Sequence, residues 1–333
     1  MTDPDKNQTA DVNAANANGM EPAVSESRVP AASRAAVRRS NRWSRRIRLS
    51  FLGVLKAELL KLASLNSTWI LLGLASALMV GMAALSAWTT TFMASIDIAT
   101  GKTLDHPKPL AAADLWAVLA SSGSTAALVI GIFGVMAITS EYTTSAIQSS
   151  LTADPRRGMF YAGKSIAVAL YALASGIVGI LLASGTLLLF ARGYDVTPLT
   201  GDQWRIIPIT VVGFPLVIVL IALMSLGLGA LTRSTVGGVS VVVVLLMVLS
   251  SVLAIVSMAV SRVSWLGTLA YLTPDMAMNN FLGGSIRSDA VSSVSTLQDY
   301  WIPEWWQSGL ILLAWVAAAW IGGLVVTQRA DVK

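Results

Sequence analysis

The sequence predicts an all-α membrane protein with six transmembrane helices, and three observations predict it. Only 12% of the 333 residues are charged while 55% are hydrophobic, where a soluble domain carries about 25% charge. Six apolar runs each reach the roughly 20 residues needed to cross the hydrocarbon core as a helix. Threaded through a bilayer in order, these runs leave all but six of the 23 Lys and Arg residues on the side of the chain's start. That bias places both termini in the cytoplasm of a cell membrane.

Residues 1–48 are rich in Ala, Asn, Ser and Asp and show no apolar period. They cannot bury enough surface to offset their ordering entropy, so they read as a disordered tail. No apolar h-region follows a basic n-region in the first thirty residues, which argues against a secretion signal. The tail ends in Arg34, Arg38, Arg39, Arg42, Arg45, Arg46 and Arg48, with Trp43 among them. These charges either anchor the chain at the inner surface or capture anionic lipid, each contributing on the order of 1 kcal/mol near an anionic leaflet. Arg38, Arg39, Arg42, Arg45, Arg46 and Arg48 are the candidates for that lipid contact. No nucleic-acid partner is expected, because the charge sits on a tail and not on a folded face.

Residues 49–333 form the membrane domain. Within 51–66, Phe51, Leu55, Leu59 and Leu62 recur at helical spacing with Lys56 and Lys61 off that stripe. Such a helix lies in the membrane interface or simply extends the first span. The spans follow at about 69–87, 115–139, 165–191, 209–231, 236–260 and 308–326. None holds a charged residue, and backbone in lipid must satisfy its own hydrogen bonds, so all six are helices. Thr232, Arg233 and Ser234 leave room only for a tight hairpin between the fourth and fifth. Trp69, Trp88, Trp116, Trp305, Trp306 and Trp320 fall near span ends, as interfacial aromatics do. Two outer segments are long. Residues 88–110 hold Asp97, Asp105 and His106. Residues 261–307, apolar in AYLTPDMAMNNFLGG, predict short helices dipping into the outer interface rather than a structureless loop.

The composition excludes several chemistries. The chain has no cysteine, which removes thiolate metal sites, disulfides and cysteine nucleophiles. The single histidine, His106, lies in a polar loop. Ser121, Ser122 and Ser124 have no base in reach and read as helix-packing surface, so an enzyme is not expected. Ion-coupled carriers leave an ionisable residue near the midplane, and the spans hold none, which weighs against a secondary transporter. That class, and a non-transporting scaffold or sensor, stay open as alternatives.

The most informative stretch is EYTTSAIQSSLTADPRRGMFYAGK, Glu141 to Lys164, between the second and third spans. Its residues from Glu141 to about Leu151 read as a short helix, with the acid at its N-terminal end where the helix dipole favours it. Asp154-Pro155 then breaks it. A helix tied at both ends to spans is a lever for a cytoplasmic partner, unless it is a plain connector.

Three stretches resemble the permease subunit of ABC-2-type transporters of the six-span, actinobacterial kind. LKAELLKLASLNSTWILL, with Glu58, Lys61, Leu62, Ser64, Ser67, Thr68 and Trp69, is similar to the family's lead-in to the first span. Glu141, Tyr142, Ile147, Leu151, Pro155, Arg157 and Lys164 match its Glu-Tyr-x-x-Gly-x-Ile-x-x-x-Leu-x-x-x-Pro-x-Arg loop, with Ser145 where the family has Gly. GALTRSTVGGV resembles its turn between the fourth and fifth spans. The resemblance covers about residues 51–331. It implies that Glu141, Tyr142, Thr143, Thr144, Ser145, Ala146, Ile147, Leu151, Pro155 and Arg157 form a coupling helix against a separate ATPase subunit. It implies that residues 51–66, through Glu58 and Lys61, form a connecting helix. It also implies short re-entrant helices between the fifth and sixth spans, and a second permease copy or a similar chain that completes the conduit. No G-x-x-x-x-G-K-[ST] stretch occurs, so ATP and Mg belong to the partner ATPase and no cofactor is expected on this chain. Charge-free spans fit an amphipathic or hydrophobic cargo, and the resemblance favours export.

Overall fold

The computed structural model describes residues 50–97, 99–143, 157–259, 264–284 and 301–329. Within these it holds six helices long and apolar enough to cross a membrane. The Ser50 side chain accepts from the Gly53 amide and starts α1, Phe51–Ser64. The one extended residue Leu65 turns the chain into α2, Asn66–Ser95, the first span. The second span breaks at Ser122 into α3, Ala112–Ser121, and α4, Gly123–Thr143. The third is α5, Arg157–Ala191. The fourth runs through a 3-10 turn at Gly201–Arg205 and a π-helical stretch at Ile209–Gly213 into α6, Phe214–Thr232. The fifth comprises α7, Thr235–Val243, a π-helical stretch at Val244–Val248, and α8, Leu249–Ala259. Two short helices, α9 (Ser264–Tyr271) and α10 (Pro274–Leu282), precede the sixth span, α11, Trp305–Arg329. Two strands of two residues, β1 (Leu110–Ala111) and β2 (Val196–Thr197), pair in parallel.

All six predicted spans are present, with corrected ends. The first continues to Ser95, past the predicted limit near residue 87. Its hydroxyl-rich last turns stay helical because Thr89 and Thr90 donate to the Ser86 carbonyl and Ser95 to that of Thr91. Trp320 packs between spans: its indole donates to Ser165 Oγ at 2.9 Å, within the contact of the sixth and third spans. The fourth–fifth hairpin turns on Arg233, left-handed at φ 52, whose amide reaches the Gly229 carbonyl at 3.0 Å. Beyond the ends of the first span, Asp97 accepts from the Thr100 hydroxyl and the Ala99 amide, which hold its carboxyl below the usual range.

The fourth span is the centre of the bundle and packs against the second, third and sixth. Two glycines make this possible. A Cβ on Gly227 would stand 2.3 Å from the Ala319 carbonyl oxygen, and one on Gly134 would stand 2.4 Å from that of Ala222. Only glycine lets the backbones approach so closely, which is how apolar helices associate where lipid is as apolar as leucine. α10 is anchored by its own polar contacts. Asn280 Nδ2 donates to the Pro303 carbonyl and to Ser308 Oγ, and Trp315 Nε1 donates to the Leu272 carbonyl.

Candidate functional site

Most of the predicted apolar stripe of α1 packs inward, with Leu55 and Leu59 partly buried against the core. Leu62 is buried with Glu58, while Phe51 stays exposed. Positions 55, 58, 59 and 62 share one helical face, and that face meets the start of the third span. A Cβ on Gly163 would come 3.0 Å from Val54 Cγ1, and the Tyr171 hydroxyl donates to the Leu59 carbonyl at 3.2 Å. A carboxylate is tolerated there because a buried lysine meets it. Lys164 Nζ lies 2.6 Å from Glu58 Oε2.

Lys164 also lies 2.6 Å from Glu141 Oε1, and Lys61 pairs with that same oxygen. The four groups therefore form an alternating chain, Lys61–Glu141–Lys164–Glu58. The Lys164 and Glu141 side chains are 1% and 2% exposed, whereas Lys61 is 37% exposed. The Lys164 ammonium also stands 5.3 Å from the centroid of the Phe160 ring, a favourable cation–π placement. Two positive and two negative charges cancel, so the cluster enters a low-dielectric setting without net charge. Each member is nonetheless costly to orphan, because a buried charge without a partner has lost its solvation and gained nothing.

Glu141 does not start a short helix. It lies inside α4, Gly123–Thr143, which runs through it. The Lys61 and Lys164 ammonium groups both stand against its carboxylate. Lys61 itself stands in the last turn of α1, where the helix dipole favours a cation. Among the described residues Glu141 Oε2 and the buried Tyr142 hydroxyl have no hydrogen-bond partner.

Of the predicted site residues, the structure thus brings Glu58 and Lys61 from one motif against Glu141 from the other. Tyr142 is half-buried, and Thr143 lies in α4 with it. Arg157 opens α5. Thr144, Ser145, Ala146, Ile147, Leu151 and Pro155 lie outside the described residues, as do the arginines from Arg38 to Arg48 and the segment read as a coupling helix. Lys164, matched to the loop motif but not counted among the coupling residues, turns out to be the central cation. Its signal was its place at the end of the loop motif. Among the described residues no group of three metal-ligating side chains gathers.

The cluster closes onto the sixth span one turn away. The Tyr161 hydroxyl donates to the Trp320 carbonyl at 3.1 Å, and the two rings stand 5.3 Å apart. At the same level Thr235 Oγ1 donates to Thr139 Oγ1 at 2.8 Å and joins the fifth span to the second. What the arrangement does is mechanical: it binds α1 to the adjacent ends of the second and third spans at one ionic joint.

No family model matches the chain, and no curated protein matches it.

Proposed function

We propose that this multi-pass membrane protein is the permease subunit of an ATP-driven exporter of an amphipathic or hydrophobic compound, with ATP hydrolysis on a separate subunit. The observation that carries the reading is the ionic joint. Glu58 and Lys61 come from one motif of the resemblance and Glu141 and Lys164 from the other, and they are far apart in sequence yet in contact. A transporter driven from the cytoplasm needs a stiff link between the segment a partner pushes and the helices that must move. Residues 144–156 join the two span ends that the joint fixes. In this reading they form the coupling helix, α1 the connecting helix, and α9 and α10 the helices that close the conduit outside.

The test is to find whether a neighbouring gene encodes an ABC-type ATPase and to co-express the chain with it. Glu141→Ala should insert normally yet lose partner capture or substrate-stimulated ATP turnover, while Thr103→Ala in an outer loop behaves as the native chain. Glu141 is buried within the chain, so truncating it also costs fold stability, about 3–5 kcal/mol for a broken buried pair, and capture and turnover are compared at matched amounts of monodisperse protein. Equal capture and equal turnover in both variants would retire the reading. One observation favours a second reading, an ion-coupled carrier: Asp275 is a carboxylate that α10, not a span, sets against Ser250 of the fifth span. Transport driven by a proton or sodium gradient with no ATPase present would select it.

A further inference from the structure

Ser124, Thr125 and Leu128 of the second span face Leu246, Met247, Ser250 and Ser251 of the fifth across a cavity of about 240 Å³, and Asp275 lines it from the first turn of α10. Leu246 and Met247 belong to the π-helical stretch of the fifth span. Such stretches recur at functional sites.

The cavity offers acceptors. Ser124 donates its hydroxyl proton to the Ser121 carbonyl at 3.2 Å, and Ser251 donates its own to the Met247 carbonyl at 2.8 Å. Ser250 donates to Asp275 Oδ2 at 3.0 Å. Three hydroxyl protons are therefore spent on the protein, and the oxygens keep their lone pairs. Asp275 accepts from Asn279 Nδ2 at Oδ1 as well, at 3.1 Å. An ionised carboxylate has about four acceptor sites, so these two donors leave it half-filled. The start of α10 supports the negative charge, since helix N-termini favour anions. Among the described residues no cation pairs with Asp275. Of the remaining lining, Thr125 adds a hydroxyl and Leu128, Leu246 and Met247 are apolar.

We propose that this cavity binds the primary ammonium group of an amphipathic amine, with Asp275 as its counter-ion and the Ser124 and Ser251 oxygens as further acceptors. An ammonium carries three N–H donors and no acceptor, which is the complement of this lining. An anion would meet a carboxylate and spent serine hydroxyls, and a neutral hydrocarbon would leave the carboxylate dry and unpaired. The volume suits a headgroup with its first carbons, and the apolar residues take the start of the tail. The site deepens the transporter reading by naming a class of cargo and rests on that reading for its role, but the binding itself needs no partner subunit.

The experiment is fluorescence titration of the full chain in lipid nanodiscs with dansylcadaverine, a primary ammonium on an apolar body, and with its neutral N-acetyl derivative. The native chain should bind the ammonium probe more tightly than the acetyl probe. Asp275→Asn should weaken the ammonium probe roughly tenfold and leave the acetyl probe unchanged, in line with the strength of charge-assisted hydrogen bonds. Ser251→Ala, which leaves both hydrogen bonds to Asp275 in place, should weaken the ammonium probe about threefold and covers the case in which Asp275→Asn does not yield monodisperse protein. Equal affinity for both probes in the native chain overturns the proposal. So does a parallel loss of both probes in the variants, which would make Asp275 a helix-fixing residue only. Displacement of the probe by sodium chloride beyond that by equal choline chloride overturns it in favour of a metal-ion site. Capture of the ATPase is measured separately, so a failure here and a failure of the transporter reading are distinguishable.

Discussion

Lys164 touches both carboxylates of the ionic joint, whereas Lys61 touches one and keeps 37% of its side chain exposed. The two lysines therefore carry unequal weight. Lys164→Gln leaves Glu58 buried without its partner, and breaking such a pair costs about 3–5 kcal/mol. Lys61→Gln leaves Glu141 paired to Lys164 and removes a half-exposed contact worth about 1 kcal/mol or less. Thermal unfolding followed by tryptophan fluorescence should give a much lower midpoint for Lys164→Gln than for Lys61→Gln. Equal midpoints would mean that the joint is not the alternating chain described. Much of this site was legible at the level of single residues: Glu58, Lys61, Glu141 and Lys164 all stood out in the sequence. Their meeting did not, because a carboxylate at position 58 counts as polar in any hydropathy pattern and cannot reveal that a lysine far along the chain will neutralise it. The place of Glu141 in its helix was misread for a related reason. A polar residue after an apolar run looks like the start of something new, yet α4 simply continues through it.

At the scale of elements, the spans were legible because they are apolar and free of charge, while their ends were not. Thr89, Thr90 and Ser95 read as loop residues, but each hydroxyl bonds a carbonyl of its own helix and so costs the helix little. The π-helical stretches at Ile209–Gly213 and Val244–Val248 have no signature in composition. Neither does the reach of α10, which turns Asp275 from a loop acid into part of a cavity wall. The spacing between helices is open to a direct test. Gly227→Val forces a side chain into the Ala319 carbonyl and should lower the unfolding midpoint, by about 1–3 kcal/mol or more as overpacking does. Gly185→Ala faces open space and should be neutral or stabilising by up to about 1 kcal/mol, since alanine favours a helix over glycine. If Gly227→Val unfolds with the native midpoint, the fourth and sixth spans are not in backbone contact.

At the scale of the whole molecule, the uneven distribution of Lys and Arg predicts which side faces the cytoplasm. The absence of cysteine makes the prediction simple to check, since Ser145→Cys and Ser285→Cys introduce one thiol each. An impermeant maleimide on intact cells should label position 285 and spare position 145. The reverse pattern would invert the protein and remove the ionic joint from the nucleotide side. The two-residue strand pair has a bearing on how such a molecule can move. β1 immediately precedes the second span and β2 closely follows the third, so those spans are tied where one begins and the other ends. The Glu141–Lys164 contact ties them at their opposite ends. Two beams pinned at both corners, with the fourth span wedged against each, cannot scissor apart. They rock as one plank with the first span packed along both, and a gap opens most easily at the loosely packed fifth span.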